Sequence, residues 1–102
     1  CDPMHGNGVV TADGIKTRRF DDIMSELTAF FAVCRGEGVW PGGVHLEFTG
    51  DDVTECVGGV EPVHECDLGV RYSSLVDPRL NARQSPDVAF QVAELLRPRS
   101  GR

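Results

Sequence analysis

A chain of 102 residues, 40% hydrophobic and 25% charged, is sized and composed for one small globular domain with little core to spare. Its formal charge of −6, with acidic residues spread along the chain, disfavours nucleic acid and anionic lipid as partners. No apolar run approaches the roughly 20 residues that cross a bilayer, and the start lacks the basic-then-apolar pattern of a signal peptide. A soluble, cytoplasmic protein is the expectation.

Taken in chain order, the first element is a strand stub in CDPMHGN, Cys1 to Asn7, which sets a thiol, a carboxylate and an imidazole around a Pro turn. That density of chemistry reads as a strand end in an active site, cut off at the head of the chain. From Phe20, apolar residues at Ile23, Met24, Leu27, Phe30, Phe31 and Cys34 recur at helical spacing, and Gly36 and Gly38 supply a stop, so Arg19 to Arg35 is predicted helical. After the PGG turn, Val44 to Phe48 alternates as a strand, with Val44, Leu46 and Phe48 on one face and His45, Glu47 and Thr49 on the other. Cys66 to Ser74 is read as a short helix, and Asp77-Pro78-Arg79-Leu80-Asn81 as a loop whose Asp is held extended by the following Pro. A second long helix starts at Ser85-Pro86-Asp87 and stops at Pro98, and the polar RPRSGR tail reads as a true C-terminus. The four cysteines, Cys1, Cys34, Cys56 and Cys66, form no CxxC pair and are expected as free thiols.

The resulting order is β–α–β–α, an α/β class in which right-handed parallel crossovers are expected. Two parallel strands cannot bury themselves, and a closed (β/α)₈ barrel takes about 250 residues. The sequence therefore reads as the C-terminal portion of such a barrel, incomplete on its own.

His5 after the first strand, Glu47 at the end of the second and Asp77 in the loop beyond occupy the strand ends where barrel enzymes place their chemistry. One imidazole with two carboxylates suits a divalent cation of the manganese, iron or cobalt kind better than a thiolate zinc site. Each residue also has a bland reading. His5 would serve as a hydrogen-bonded structural residue and Asp77 as a turn former, whereas an unpaired buried Glu47 would be costly. Lys16, Arg18 and Arg19 form the one basic knot, suited either to a sugar phosphate or to a solvated helix start, although a helix N-terminus disfavours cations. Asp2 is a candidate for handling a proton or orienting a ligand, and His45 for a satisfied core histidine. Arg79 reads as an ion-pair partner of Asp77 or a substrate contact, with the structural role preferred.

Four strings, CDPMHGN, GIKTRRFDDI, PGGVHLEFTGDDVTECVGG and DPRLNARQS, together resemble the C-terminal part of the class II 3-deoxy-D-arabino-heptulosonate 7-phosphate (DAHP) synthases. The resemblance runs the length of the chain but covers roughly the last quarter of a typical member. It implies a decorated (β/α)₈ barrel in which residues 1–102 are a fragment of one catalytic domain. The implied reaction condenses phosphoenolpyruvate with erythrose 4-phosphate and releases phosphate, the first step of the shikimate pathway. Carried over, the metal ligands are His5, Glu47 and Asp77, holding a divalent metal, manganese or cobalt. Lys16 and Asp2 become candidate catalytic residues, and Lys16, Arg18 and Arg19 candidate substrate-binding residues. A homo-oligomer is expected of the full-length enzyme.

The family's fourth ligand, a cysteine early in the barrel, has no counterpart here, nor do the residues that grip phosphoenolpyruvate. Many members carry a cysteine before DPRLN, where this chain has Val76, so a redox pairing there is not expected. The isolated chain is accordingly expected to be inactive. The rival expectation is a short, non-catalytic binding or docking module that kept the family's strings, which exposed strand edges and one-sided helices disfavour.

Overall fold

The computed structural model describes residues 1–97. Its regular elements are two strands, β1 (Gly8–Val10) and β2 (Lys16–Arg18), and two helices, α1 (Phe20–Glu37) and α2 (Gln84–Leu96), with single 3₁₀ turns at His5–Asn7 and Glu65–Asp67. The first two form an antiparallel hairpin, with Gly8 opposite Arg18, Val9 opposite Thr17 and Val10 opposite Lys16. Thr11 closes its loop. Its carbonyl accepts from Gly14 N at 2.9 Å, and its hydroxyl accepts from Ile15 N at 3.1 Å.

Helix α1 forms where the apolar spacing places it. Phe20, Ile23, Leu27, Phe31 and Cys34 are its buried residues, one stripe at i, i+3, i+4 intervals. Asp21 and Asp22 sit in the first turn, favourable to the helix dipole. The helix ends at Gly38, whose φ of 67° is left-handed and lets its N–H reach back to the carbonyls of Arg35 and Cys34. In α2 the start is fastened by side chains upstream. Asn81 Oδ1 accepts from the N–H groups of Arg83 and Gln84, each at 2.9 Å, while Gln84 Oε1 accepts from Asn81 N at 3.0 Å. Gln84 also donates to Cys56 O at 2.9 Å and Gly58 O at 3.1 Å, so this buried amide ties α2 to the middle of the chain.

Met4, Phe20, Ile23, Leu27, Cys56, Leu80 and Val88 form the core, gathered from the head, both helices and the connecting segments. Burial pushes the Cys56 thiol up to about 12, so it behaves as a small apolar side chain rather than as a nucleophile. All four cysteines are free, as the spacing predicts.

Several expected elements differ. Residues 1–4 are not a strand, and His5 opens a 3₁₀ turn that leads into the antiparallel hairpin. Val44 to Phe48 is extended but laddered only by an isolated parallel bridge, Phe48 with Leu80, through Leu80 N to Glu47 O at 3.0 Å and Thr49 N to Leu80 O at 2.9 Å. A second parallel bridge joins Arg19 to Val57. Neither bridge joins the two expected strands, which meet only where His45 N donates to Cys1 O at 2.8 Å and Cys1 N to Gly43 O at 3.0 Å; a buried parallel strand needs neighbours on both sides. The helix expected over Cys66 to Ser74 shrinks to the turn Glu65–Asp67, where Asp67 Oδ2 accepts from His64 N at 3.0 Å; Gly69 and Val70 follow, both poor helix propagators. The boundaries of α1 and α2 fall within one or two residues of expectation. Pro98 and the expected tail lie outside the described residues.

The described residues make a small α/β unit, compatible with part of a larger fold. Several large apolar side chains lie bare, among them Trp40 (80% exposed), Leu75 (99%) and Phe90 (73%). No helix among the described residues is long and apolar enough to cross a membrane.

Candidate metal centre

His5, Glu47 and Asp77 come from the 3₁₀ turn, the extended segment and the DPRLN loop, and one ligand atom from each lies within 4.8 Å of the others. His5 Nε2 is 2.9 Å from Glu47 Oε1 and 3.9 Å from Asp77 Oδ2. Three residues separated by 42 and 30 positions in the sequence therefore meet at one point.

Local chemistry fixes the imidazole. Asp2 Oδ1 accepts from Met4 N at 2.9 Å and His5 N at 3.2 Å, the Asx arrangement that shapes the turn. Asp2 Oδ2 is 2.6 Å from His5 Nδ1. The His5 ring, then the Met4 N–H, hold the Asp2 carboxyl well below the usual carboxylate range, and the same contact with Asp2 raises the proton affinity of His5. A carboxylate only accepts, so a neutral His5 carries its proton on Nδ1 and turns the Nε2 lone pair toward Glu47 and Asp77. Glu47 Oε1 is buried and takes part in no hydrogen bond, although Nε2 lies 2.9 Å away. Two acceptors at that distance repel unless a positive charge sits between or on them. The donor set, one nitrogen and carboxylate oxygens oriented by an acidic partner behind the ring, fits a divalent cation.

Basic residues line this carboxylate cluster unequally. Strand alternation in β2 sends Lys16 and Arg18 to the same side. Lys16 Nζ is 3.4 Å from Asp77 Oδ1 and well exposed, whereas Arg18 is 2% exposed and its Nη1 donates to Pro78 O at 2.7 Å and lies 3.3 Å from Glu47 Oε2. Arg18 thereby joins two ligand-bearing segments. Arg19, on the other side of the alternation, is exposed and joins no ion pair among the described residues. Asp2 and Lys16 both reach the cluster, the former through His5 and the latter through Asp77.

His45, expected in the core, is exposed, its ring centroid 5.6 Å from that of His5. Alternation reports which side a residue faces but not whether anything covers that side. Arg79 does not pair with Asp77. Its Nε and Nη2 donate to Glu55 Oε1 and Oε2 at 3.0 and 2.9 Å, a bidentate pair with a fully buried carboxylate. Glu55 is the residue that reading the sequence missed, and its signal was an acid inside the apolar run Val53-Thr54-Glu55-Cys56-Val57, where only a partner makes a charge tolerable.

Burial works to raise the Glu55 pKa, but the Arg79 side chain and N–H, with the N–H groups of Ser73 and Ser74, bring it below its ordinary value. In the wild-type protein this pair's contribution is complete above about pH 4.5 and is lost as pH falls through the depressed value. Arg79→Met leaves the carboxylate buried without its counterion and is expected to cost about 3 kcal/mol at neutral pH. Desolvation then dominates and the folded-state pKa rises above the unfolded one. The variant should therefore gain more stability than the wild type as pH is lowered from 7 toward 5, the His5 contribution being common to both. Urea midpoints measured across that range test the difference, and parallel pH profiles would refute it.

An imidazole and two carboxylates converging beside paired cations define a candidate metal centre of the kind found in metal-assisted enzymes. The model of the class-II DAHP synthetase family matches residues 1–93, and the chain belongs to that family of enzymes. It is 56% identical over 96 residues to the phospho-2-dehydro-3-deoxyheptonate aldolase of Streptomyces coelicolor and 52% identical over 97 residues to the aldolase AroG of Mycolicibacterium smegmatis. These alignments cover 94% and 95% of this chain but only 21% of each relative. A phospho-2-dehydro-3-deoxyheptonate aldolase of Streptomyces lividans is 55% identical over 94% of this chain and 66% of its own length. The chain thus spans about a fifth of the length of the first two relatives.

Proposed function

We propose that residues 1–102 are the C-terminal part of one (β/α)₈ catalytic domain. The complete enzyme condenses phosphoenolpyruvate with erythrose 4-phosphate to give 3-deoxy-D-arabino-heptulosonate 7-phosphate and phosphate, the entry to the shikimate pathway. The observation that carries this reading is the meeting of His5, Glu47 and Asp77 within 4.8 Å in a chain matched by the family model over residues 1–93. Bare apolar residues such as Trp40 and Phe90, and the thinly laddered segment before Phe48, support a larger body around this unit.

When bound, a manganese or cobalt ion supplies Lewis acidity toward the aldehyde oxygen of erythrose 4-phosphate. The chain's own residues do the rest of the local work. His5, Glu47 and Asp77 hold the ion, and Asp2 keeps the His5 proton on Nδ1 so that Nε2 is available. Lys16, exposed at the edge of the cluster, grips the sugar phosphate or delivers a proton to the alkoxide formed as the new carbon–carbon bond closes, with Arg19 close by in sequence. Arg18, buried against Glu47 and Pro78, orients the ligands more than it meets substrate. Water adds at the carbon that carried the enol phosphate, and phosphate leaves. The enzyme works as a homo-oligomer in the cytoplasm under this reading.

The test is an assay of the full-length enzyme with both substrates, following loss of the enol absorbance. Turnover abolished by a chelator and restored by manganese is expected, and turnover indifferent to chelation would overturn the metal reading. The separately expressed 102-residue chain should show none under any metal, since most of the substrate pocket lies elsewhere.

A further inference from the structure

We infer that Glu55 is a positioning residue for Asp77, a buried carboxylate that sets the shape of the loop carrying a metal ligand. The inference rests on the metal reading above and assigns a role to a residue outside the ligand set.

The loop from Ser73 to Arg79 has Asp77 near its crest, and Glu55 grips both of its ends. Oε2 accepts from Ser73 N and Ser74 N, each at 2.9 Å, at the loop's start. Oε1 accepts from Arg79 N at 2.9 Å and Arg79 Nε at 3.0 Å at its finish, and Arg79 Nη2 adds a bond to Oε2 at 2.9 Å. Five donors converge on one carboxylate that is fully buried. A side chain serving only to neutralise Arg79 would not need the three backbone N–H groups. Inside the loop, Ser74 Oγ donates to the carbonyl of Asp77 itself at 2.6 Å, so the grip on Ser74 passes to the ligand's own backbone. From the other side Arg18 holds Pro78 O at 2.7 Å. Asp77 is left with little freedom except in its side chain, which stands toward His5 and Lys16.

The far end of this arrangement is anchored as well. The carbonyl of Glu55 accepts from the buried hydroxyl of Thr17, on the strand that carries Lys16 and Arg18. One residue thus references the Asp77 loop to the basic strand, fixing the distance between a ligand and the cations beside it. Supporting residues of this kind typically change metal affinity about 10- to 100-fold when altered.

The experiment measures manganese affinity of the full-length enzyme by the electron paramagnetic resonance signal of free Mn²⁺, alongside the melting temperature of the metal-free protein. Glu55→Gln keeps the shape but loses the charge and two acceptor sites, and is expected to weaken manganese binding at least 10-fold. Ser74→Ala removes the bond to the Asp77 carbonyl together with the one its hydroxyl accepts from Val76 N, both inside the loop, so it keeps the test decisive if Glu55→Gln fails to fold. It should weaken binding about 3-fold with the metal-free melting temperature unchanged, and the visible spectrum of the cobalt-loaded variant should shift as the Asp77 oxygen moves. Wild-type affinity and an unaltered cobalt spectrum in Ser74→Ala would overturn the inference. A wild-type enzyme that binds no manganese would instead bring down the metal reading beneath it, and the two failures are told apart by that control.

Discussion

Glu47→Ala in the full-length enzyme is expected to lower turnover by roughly 1,000-fold or more while the protein stays folded. Removing one of the carboxylates that face His5 Nε2 takes away the contact at 2.9 Å and leaves the imidazole and Asp77 too few to hold a divalent cation firmly. Lewis-acid assistance is worth several kcal/mol of barrier, and each 1.36 kcal/mol is a factor of ten. The fold should tolerate the change, since Glu47 is not in the core and its backbone carbonyl still accepts from Leu80 N. Arg18 keeps Pro78 O but loses its carboxylate partner, and a buried cation without one costs some stability, so turnover is compared per folded molecule. Glu47→Gln, which preserves volume and one acceptor, separates loss of charge from loss of shape. Turnover near wild type in Glu47→Ala, at saturating manganese, would remove this residue from the centre.

Leu27→Ala should act on stability and leave chemistry alone. Leu27 is fully buried at the middle of α1 in the cluster that includes Ile23, Cys56, Leu80 and Val88. Truncating such a side chain costs about 3 kcal/mol, the sum of lost transfer energy and a cavity that neighbouring helices only partly close. The shift reads directly as a lower denaturant midpoint with unchanged slope. Ala29→Ser, on the exposed side of the same helix, should move the midpoint by less than about 0.5 kcal/mol and serves as the control. Turnover per folded molecule at low temperature is expected to match the wild type, because the core cluster that holds Leu27 contains none of His5, Glu47 and Asp77. Equal midpoints for the two variants would mean that α1 is not packed as described.

The helices were legible because their signal is local. Phe20, Ile23, Leu27 and Phe31 repeat at a period that only a helix turns into one face, and Gly38 supplies a stop that needs no partner from elsewhere. Strands are different. The alternation of Val44, Leu46 and Phe48 is real, but a ladder depends on what lies alongside, and here that is Cys1 at one end and Leu80 at the other, one residue each. The hairpin had a turn signal in Asp13-Gly14, between Val9-Val10 and Ile15-Lys16, yet strands of three residues carry too little pattern to read with force. His5, Glu47 and Asp77 were legible as candidates from the expected strand ends and from the four family-like strings, although His5 follows no strand, and their mutual distances needed the fold. Glu55 and Arg18 were not legible in their roles. Both act through backbone groups far along the chain, Ser73 and Arg79 for one and Pro78 for the other, and no local pattern encodes such a meeting.

The lone rung between Phe48 and Leu80 makes metal geometry and chain alignment a single variable. Its bond from Leu80 N ends on the carbonyl of Glu47, and Leu80 stands three positions beyond Asp77, so two ligands are spaced by the same pair of hydrogen bonds that align their segments. A slip of one residue would turn Glu47 to the opposite side and present Leu46 or Phe48 to His5 instead. A misaligned chain could then be compact and still bind no cation. Under the proposed metal binding, an ion would favour the one threading in which His5, Glu47 and Asp77 face each other over any misaligned one.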